Sequence, residues 1–235
     1  MQLHKDKEVF QEIILATAEA FNFQDFQIEK DYYVSYFLKH LKEVSPNIVF
    51  KGGTSLSKCY DIIDRFSEDI DLTFQFEEEK LGGAKLKKQQ KPLISAITNT
   101  IETLNFQLNN GGEIFSGRYF NKYEVGYESI FEERGYMLDH ILIETTLTYK
   151  PYPCEKMLVS NYITKFLTNE GETELIKQYA LEPFEMQVQT VERTFIDKIF
   201  AICDYHLIAQ YHGKSRHLYD IHKIYKSGVL KENIL

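Results

Sequence analysis

Apolar positions recur with helical spacing over residues 7–21 and again over 27–43, where Ile28, Tyr32, Phe37 and Leu41 fall near one side, so the chain is expected to open with a pair of helices. "NIVFKGG" then reads as a short buried strand broken by Gly52 and Gly53. The following "TSLSKCYDIID" places Leu56, Cys59, Tyr60 and Ile63 at i, i+3, i+4 and i+7, a helix with Thr54 or Ser55 as its N-cap. After Ser67 the period becomes two. Ile70, Leu72, Phe74 and Phe76 point one way and Asp69, Asp71, Thr73 and Gln75 the other, which predicts a strand with one polar face.

"LGGAKLKKQQKPLISAITNTIETLNF" predicts a loop and a helix, and "FQLNNGGEIFSGRYFNKYEVGYES" predicts strands joined by an "NNGG" turn. "DHILIETTLTYKPYP" is a further strand stopped by two prolines. From about residue 158 the helical period returns, with a long segment "TVERTFIDKIFAICDYHLIAQYHG" and a last helix "SRHLYDIHKIYKSG" that Gly228 caps. The expected fold class is α+β: a small mixed or antiparallel sheet flanked by helices over residues 1–157, and a helical C-terminal subdomain over 158–235 packed on it. No Ser/Gly/Pro-rich linker separates the two.

Composition adds bounds. A chain of 235 residues, 43% hydrophobic and 26% charged, is expected to be globular with a sizeable core, and its 17 Phe and 16 Tyr are spread along its length. The charged opening and the lack of any run near the roughly 20 apolar residues of a membrane span place it in the cytoplasm, with no membrane partner. Cys59, Cys154 and Cys203 lie too far apart for a zinc cluster and read as reduced core residues. The net charge of −8 argues against wholesale coating by nucleic acid. Lys85, Lys87, Lys88 and Lys91 are either a local basic groove or a solvated helix face.

The chemistry concentrates in "FKGGTSLSKCYDIIDRFSEDIDLTF". Residues i and i+2 of a strand share a face, so Asp69 and Asp71 set two carboxylates about 7 Å apart along the chain, an arrangement that favours a shared divalent cation such as magnesium. Gly52 and Gly53, at a strand-to-helix turn, let backbone N–H groups approach an anion, and Thr54 and Ser55 add hydroxyl donors. The spacing is not that of a P-loop. A third carboxylate is offered by Glu144 in "HILIETTLTY", on a face shared with His140, Leu142, Thr146 and Thr148, although spacing alone fits an exposed edge-strand Glu equally well. Taken singly, "GGTS" is a turn with an N-cap and Asp-x-Asp is surface charge; together, with one amphipathic helix between them and a strand after, they are much more specific.

This order of strand, G-G-T-S, helix and D-I-D resembles the signature of the DNA polymerase β-like nucleotidyltransferases. With "IEKDYYVSYFL" (Glu29, Lys30, Asp31), "RFSEDIDL", "ERTFIDKI" and "RHLYDI", the chain resembles the AbiEii/AbiGii-type nucleotidyltransferase toxins from about residue 28 to 225. The resemblance implies that Gly53 and Ser55 hold nucleotide phosphates, that Asp69 and Asp71 bind Mg²⁺, with Mn²⁺ as the alternative, and that Lys198 contacts the incoming triphosphate; Gly52 and Thr54 complete the candidate phosphate cradle, and Glu144, where the family more usually has an Asp, is the candidate third metal ligand. It also implies that Asp220 serves activity with Arg216 beside it. By spacing alone Lys198 would equally be a snorkelling lysine next to the Phe195, Ile199 and Ile202 stripe. The expected activity is transfer of a nucleoside monophosphate from an NTP to an acceptor hydroxyl, first on RNA (a tRNA end), with a cognate antitoxin and a role in phage defence. A protein or small-molecule acceptor, or a non-catalytic nucleotide-binding module, is the alternative.

Overall fold

The computed structural model describes residues 1–75, 83–111, 120–131, 135, 137–147, 150–210 and 214–230. Phe76, Gly112 of the "NNGG" turn and Thr148 lie outside the described residues, as does the side chain of Lys87.

The two N-terminal helices form as the apolar spacing predicts, α1 over Lys7–Phe21 and α2 over Asp25–Val44. Asp6 caps the first and Gln24 opens the second, its N–H donating to Gln27 Oε1 at 2.9 Å. β1 spans Ile48–Lys51 and runs directly into α3, Gly52–Lys58. That helix differs from expectation at both ends. Its N-cap is Lys51 rather than Thr54 or Ser55, and it stops before Cys59, so the Leu56–Cys59–Tyr60–Ile63 stripe is not a single helical face. At its end the Lys58 ammonium pairs with Asp31 of α2, and beyond it Asp61 adopts a left-handed φ of 56°.

β2 follows at Ile70–Phe74, then α4 at Gly83–Thr103, β3 at Gln107–Leu108, β4 at Phe120–Gly126 and β5 at His140–Thr146. β5 ends before its prolines, which lead instead into β6, Cys154–Val159. The helical return at residue 158 therefore needs correction. Short α5 (Tyr162–Asn169) and α6 (Thr173–Gln178) are followed by β7, Phe184–Gln189, and only then by α7, Val191–Leu207, and α8, Ser215–Ser227, which Gly228 caps with φ 71°.

The strands form one mixed sheet in the order β3-β4-β5-β2-β1-β7-β6, with β2–β5 and β1–β7 parallel and the other neighbours antiparallel. β7, from the stretch expected to be helical, thus lies beside β1 near the middle of the sheet. One sheet face is covered by α1, α2 and α4 and holds the main core, including Phe10, Phe37, Phe50, Leu72, Ile97 and Ile143. A smaller core joins Leu56, Ile62 and Ile63 to Val191 and Phe195 of α7 and Ile224 of α8. Along β4 and β5 burial alternates residue by residue, so Lys122, Glu124, Leu142, Glu144 and Thr146 occupy the less covered face. Cys59 and Cys154 are half-buried and Cys203 is exposed; all three are free thiols, and Cys203 is therefore not a core residue. Among the described residues no helix is long and apolar enough to cross a membrane.

Candidate active site

β2 runs between β1 and β5, and strand register alone sets a row of charges across the sheet. Asp71 is the partner of Lys51 on β1 and of Glu144 on β5, and Glu144 is in turn the partner of Lys122 on β4. Two carboxylates therefore sit side by side between two ammonium groups. Asp69 lies just before β2, with its carboxylate 3.9 Å from the exposed Arg216 guanidinium.

Burial, followed by the charges of Asp71 and Glu68, pushes the Asp69 carboxyl above the usual range. Burial likewise raises Asp71, against the opposing charges of Lys51, Lys198 and Arg216. Glu144 is raised by burial and then by Asp71 and Asp69. Three acidic groups made costly to ionise by burial, two of them also by neighbouring acids, form a hard-oxygen donor set of the kind that suits a magnesium-like cation. Among the described residues no three His, Cys, Asp or Glu side chains already enclose a metal-sized space.

The glycine pair is where the acidic row meets the ion pairs behind it. Gly52 has φ 78°, and a Cβ there would lie 2.0 Å from Asp71 Oδ2, so the Asp71 carboxylate rests on bare backbone. A Cβ on Gly53 would lie 2.8 Å from Arg65 Nη2 and 3.1 Å from Ser67 Oγ. The two hydroxyls that follow face inward. Thr54 Oγ1 donates to the Asp69 carbonyl at 2.5 Å and lies 2.9 Å from Ser67 Oγ, while Ser55 Oγ donates to the Gly52 carbonyl at 2.9 Å. Both residues are buried, and in this conformation they brace the turn and the residue that carries the Asp69 carboxylate.

Asp220, fully buried on α8, accepts hydrogen bonds from Arg65 Nε at 2.8 Å and Nη2 at 2.7 Å, and pairs with Lys198 Nζ at 2.7 Å. Burial would raise its carboxyl, but the Arg65 hydrogen bonds and the Lys198 charge together hold it below the usual range. Lys198 is thus neither snorkelling nor free: it reaches inward from α7, and its charge acts on Asp71. The structure sets Asp71 beside Glu144 and against Gly52, Asp69 near Arg216, and the Lys198–Asp220 pair close to Gly53. Arg216 lies by Asp69, although the sequence motif had it beside Asp220.

Spacing gave no role to Lys51, Lys122 or Arg65. Lys51 directly precedes the glycine pair, but its position opposite Asp71 follows from the β1–β2 register. Arg65 was visible in "RFSEDIDL", yet its partner is 155 residues away. The "EKD" triplet of α2 supports the same centre from behind. Glu29 accepts from the Ile130 N–H at 2.8 Å; Lys30 pairs with Glu68 and donates to the Leu138 carbonyl at 3.0 Å; Asp31 pairs with Lys58 and accepts from the Tyr162 N–H at 2.9 Å.

No curated protein sequence matches the chain. A family model described as "Nucleotidyl transferase AbiEii toxin, Type IV TA system" matches residues 36–235, a span that holds the glycine turn, the three carboxylates, Lys198 and Asp220. The chain belongs to the AbiEii nucleotidyl transferase toxin family of type IV toxin–antitoxin systems.

Proposed function

We propose that this toxin transfers a nucleoside monophosphate from an NTP to an acceptor hydroxyl on RNA, a tRNA end first, in a Mg²⁺-dependent reaction that Mn²⁺ also supports. The in-register Asp71–Glu144 pair, with Asp69 two residues before Asp71, carries this reading. These three side chains would hold the cation, which when bound would screen phosphate charge and lower the pKa of a coordinated hydroxyl. Binding would draw the carboxylates inward and require their deprotonation.

The remaining roles fall to residues of the chain. Backbone N–H groups at Gly53 and the charges of Lys198 and Arg216 would meet the β- and γ-phosphates. Glu144, whose carboxyl is raised above the usual range by burial and then by the charges of Asp71 and Asp69, takes the proton of the acceptor hydroxyl. The acceptor oxygen forms a bond to the α-phosphorus, the bond from that phosphorus to the bridging oxygen breaks, and pyrophosphate leaves toward Lys198. Asp220 positions Lys198 and Arg65 rather than touching the substrate. The family's type IV toxin–antitoxin description supports restraint by a cognate antitoxin; a place in phage defence and in the cytoplasm is part of the same proposal.

The test is transfer of label from each α-³²P NTP, with magnesium, to total bacterial RNA, to cell protein and to a metabolite extract, using Asp69→Ala/Asp71→Ala as the blank. Label in a tRNA-sized band that the blank lacks is expected. Label confined to protein or metabolites keeps the chemistry and replaces the acceptor, and no label with NTP binding intact leaves a binding module.

A further inference from the structure

One side of α2 forms the wall of a cavity of about 250 Å³. Tyr32, Tyr36, Lys39, His40 and Glu43 recur every three or four residues along that helix, which is why all five reach the same space. The facing wall comes from the end of β6, the start of α5 and the segment 179–184 that leads into β7. No residue of the glycine turn or of the acidic row lines it, and neither Lys198 nor Asp220 does. The volume falls below the roughly 300–1,000 Å³ of pockets for drug-sized ligands, so it suits a small molecule with a single ring.

The lining decides the chemistry. Tyr32, Tyr36, Tyr179 and Phe184 contribute four aromatic side chains. The hydroxyls inside are already engaged: Ser35 Oγ accepts from Lys58 Nζ at 2.7 Å, and Thr164 Oγ1 donates to the Leu181 carbonyl at 2.7 Å. What the wall still offers is acceptors. Glu43 and Glu182, both exposed, bring two carboxylates to the outer side. His40 Nδ1 lies 2.9 Å from the Tyr36 carbonyl, which can only accept, so in the neutral ring Nε2 is an acceptor as well. Against these stands the Lys39 ammonium, which the Ala180 carbonyl holds at 2.7 Å. Two carboxylates against one ammonium, around electron-rich rings, disfavour a phosphate or carboxylate and favour a cation that donates hydrogen bonds.

We propose that this cavity binds a small organic amine in its ammonium form, its apolar body among the tyrosines and its N–H groups directed to Glu43, Glu182 and His40 Nε2. The assignment is independent of the transferase reading. Tyrosine rings within about 6 Å attract an ammonium through their quadrupole, the more so where water is partly excluded. An occupant also bridges α2 and the segment 179–184, which the Lys39–Ala180 hydrogen bond already joins, so binding stabilises the folded chain by mass action.

The experiment is isothermal titration of the full chain with phenethylamine, using phenylacetate and 2-phenylethanol as the anionic and neutral counterparts of the same ring. The amine is expected to bind at least about 10-fold more tightly than either, and to raise the Tm. Tyr36→Ala should weaken it about 5-fold, while Tyr36→Phe, which keeps the ring, binds as the wild type does. Glu43→Gln/Glu182→Gln, at exposed positions that folding tolerates, should also weaken it about 5-fold and erase most of the preference over 2-phenylethanol. The acidic row is the other place where an amine would collect, so Asp69→Ala/Asp71→Ala is the control and should bind the amine unchanged. Loss of binding in that control puts the amine at the acidic row and overturns the assignment. Equal affinity for the three compounds, no saturable binding of the amine, or binding unmoved by both the Tyr36→Ala and the double glutamate changes overturns it too.

Discussion

Gly52 meets two demands that no other residue meets together: a φ of 78°, and a Cα in contact with the Asp71 carboxylate. The glycine pair was readable in the sequence as a place of close approach, but the expected visitor was a phosphate; the group it admits first is the chain's own aspartate. Gly52→Ala adds a left-handed strain of about 1 kcal/mol and displaces Asp71, so the Tm should fall by roughly 3 °C or more. The Tm rise given by magnesium with NTP should vanish with it; a rise equal to the wild type's would separate Asp71 from the cation. A second expectation concerns pH. Burial raises Asp69, Asp71 and Glu144, with mutual repulsion adding to Asp69 and Glu144, so in the metal-free protein they take up protons above the ordinary carboxylate value of about 4. A cation binds their deprotonated forms, so magnesium stabilisation should be full near neutrality and shrink as pH falls through that raised range. Thermal shifts that stay constant between roughly pH 5 and 8 would argue that these carboxylates do not hold the cation.

Periodicity found α1, α2, β1, β2, β5, α7 and α8 because their apolar positions recur at helical or strand spacing. It failed for β6 and β7. In β6, "CEKMLV" is buried only at Val159, leaving almost no alternation to read, and β7 is short and flanked by helical patterns. It also could not assign Glu29, Lys30 and Asp31, which fall within the run 28–35 that is buried on every side of α2. Helical geometry turns these three consecutive charges toward three different segments, so α2 clamps the stretch after β4, the approach to β2 and the end of α3 at once. Asp31→Ala should cost about 3–5 kcal/mol by leaving Lys58 buried and unpaired, whereas Asp31→Leu/Lys58→Met should recover most of that. Urea midpoints of the two single variants and the double decide it. Additive losses would mean that the pair is not the unit.

Alternation put Glu144 and Asp71 on polar faces but fitted an exposed edge-strand Glu144 equally well; the β2–β5 register that sets the two side by side, and the sheet that joins them to Lys51 and to β7, depend on pairings across the whole chain. The C-terminal helices depend on the same long reach: Asp220 on α8 gathers Arg65, from the segment before β2, and Lys198, from α7, into one buried cluster behind Gly53. At neutral pH Asp220→Asn leaves two cations short of a counter-charge and should cost about 3–5 kcal/mol, with faster hydrogen exchange across α7 and α8. The Asp220 carboxyl is depressed in the folded state, so its contribution is present above the unfolded value of about 4 and is lost as pH falls through the folded one. The gap in stability between wild type and Asp220→Asn should therefore close only in strong acid. Under the role proposed for Asp220, which acts through Lys198 and Arg65, transfer activity should fall in step with stability. An Asp220→Asn protein as stable as the wild type, with native exchange in both helices but no transfer, would instead put this carboxylate in contact with the nucleotide.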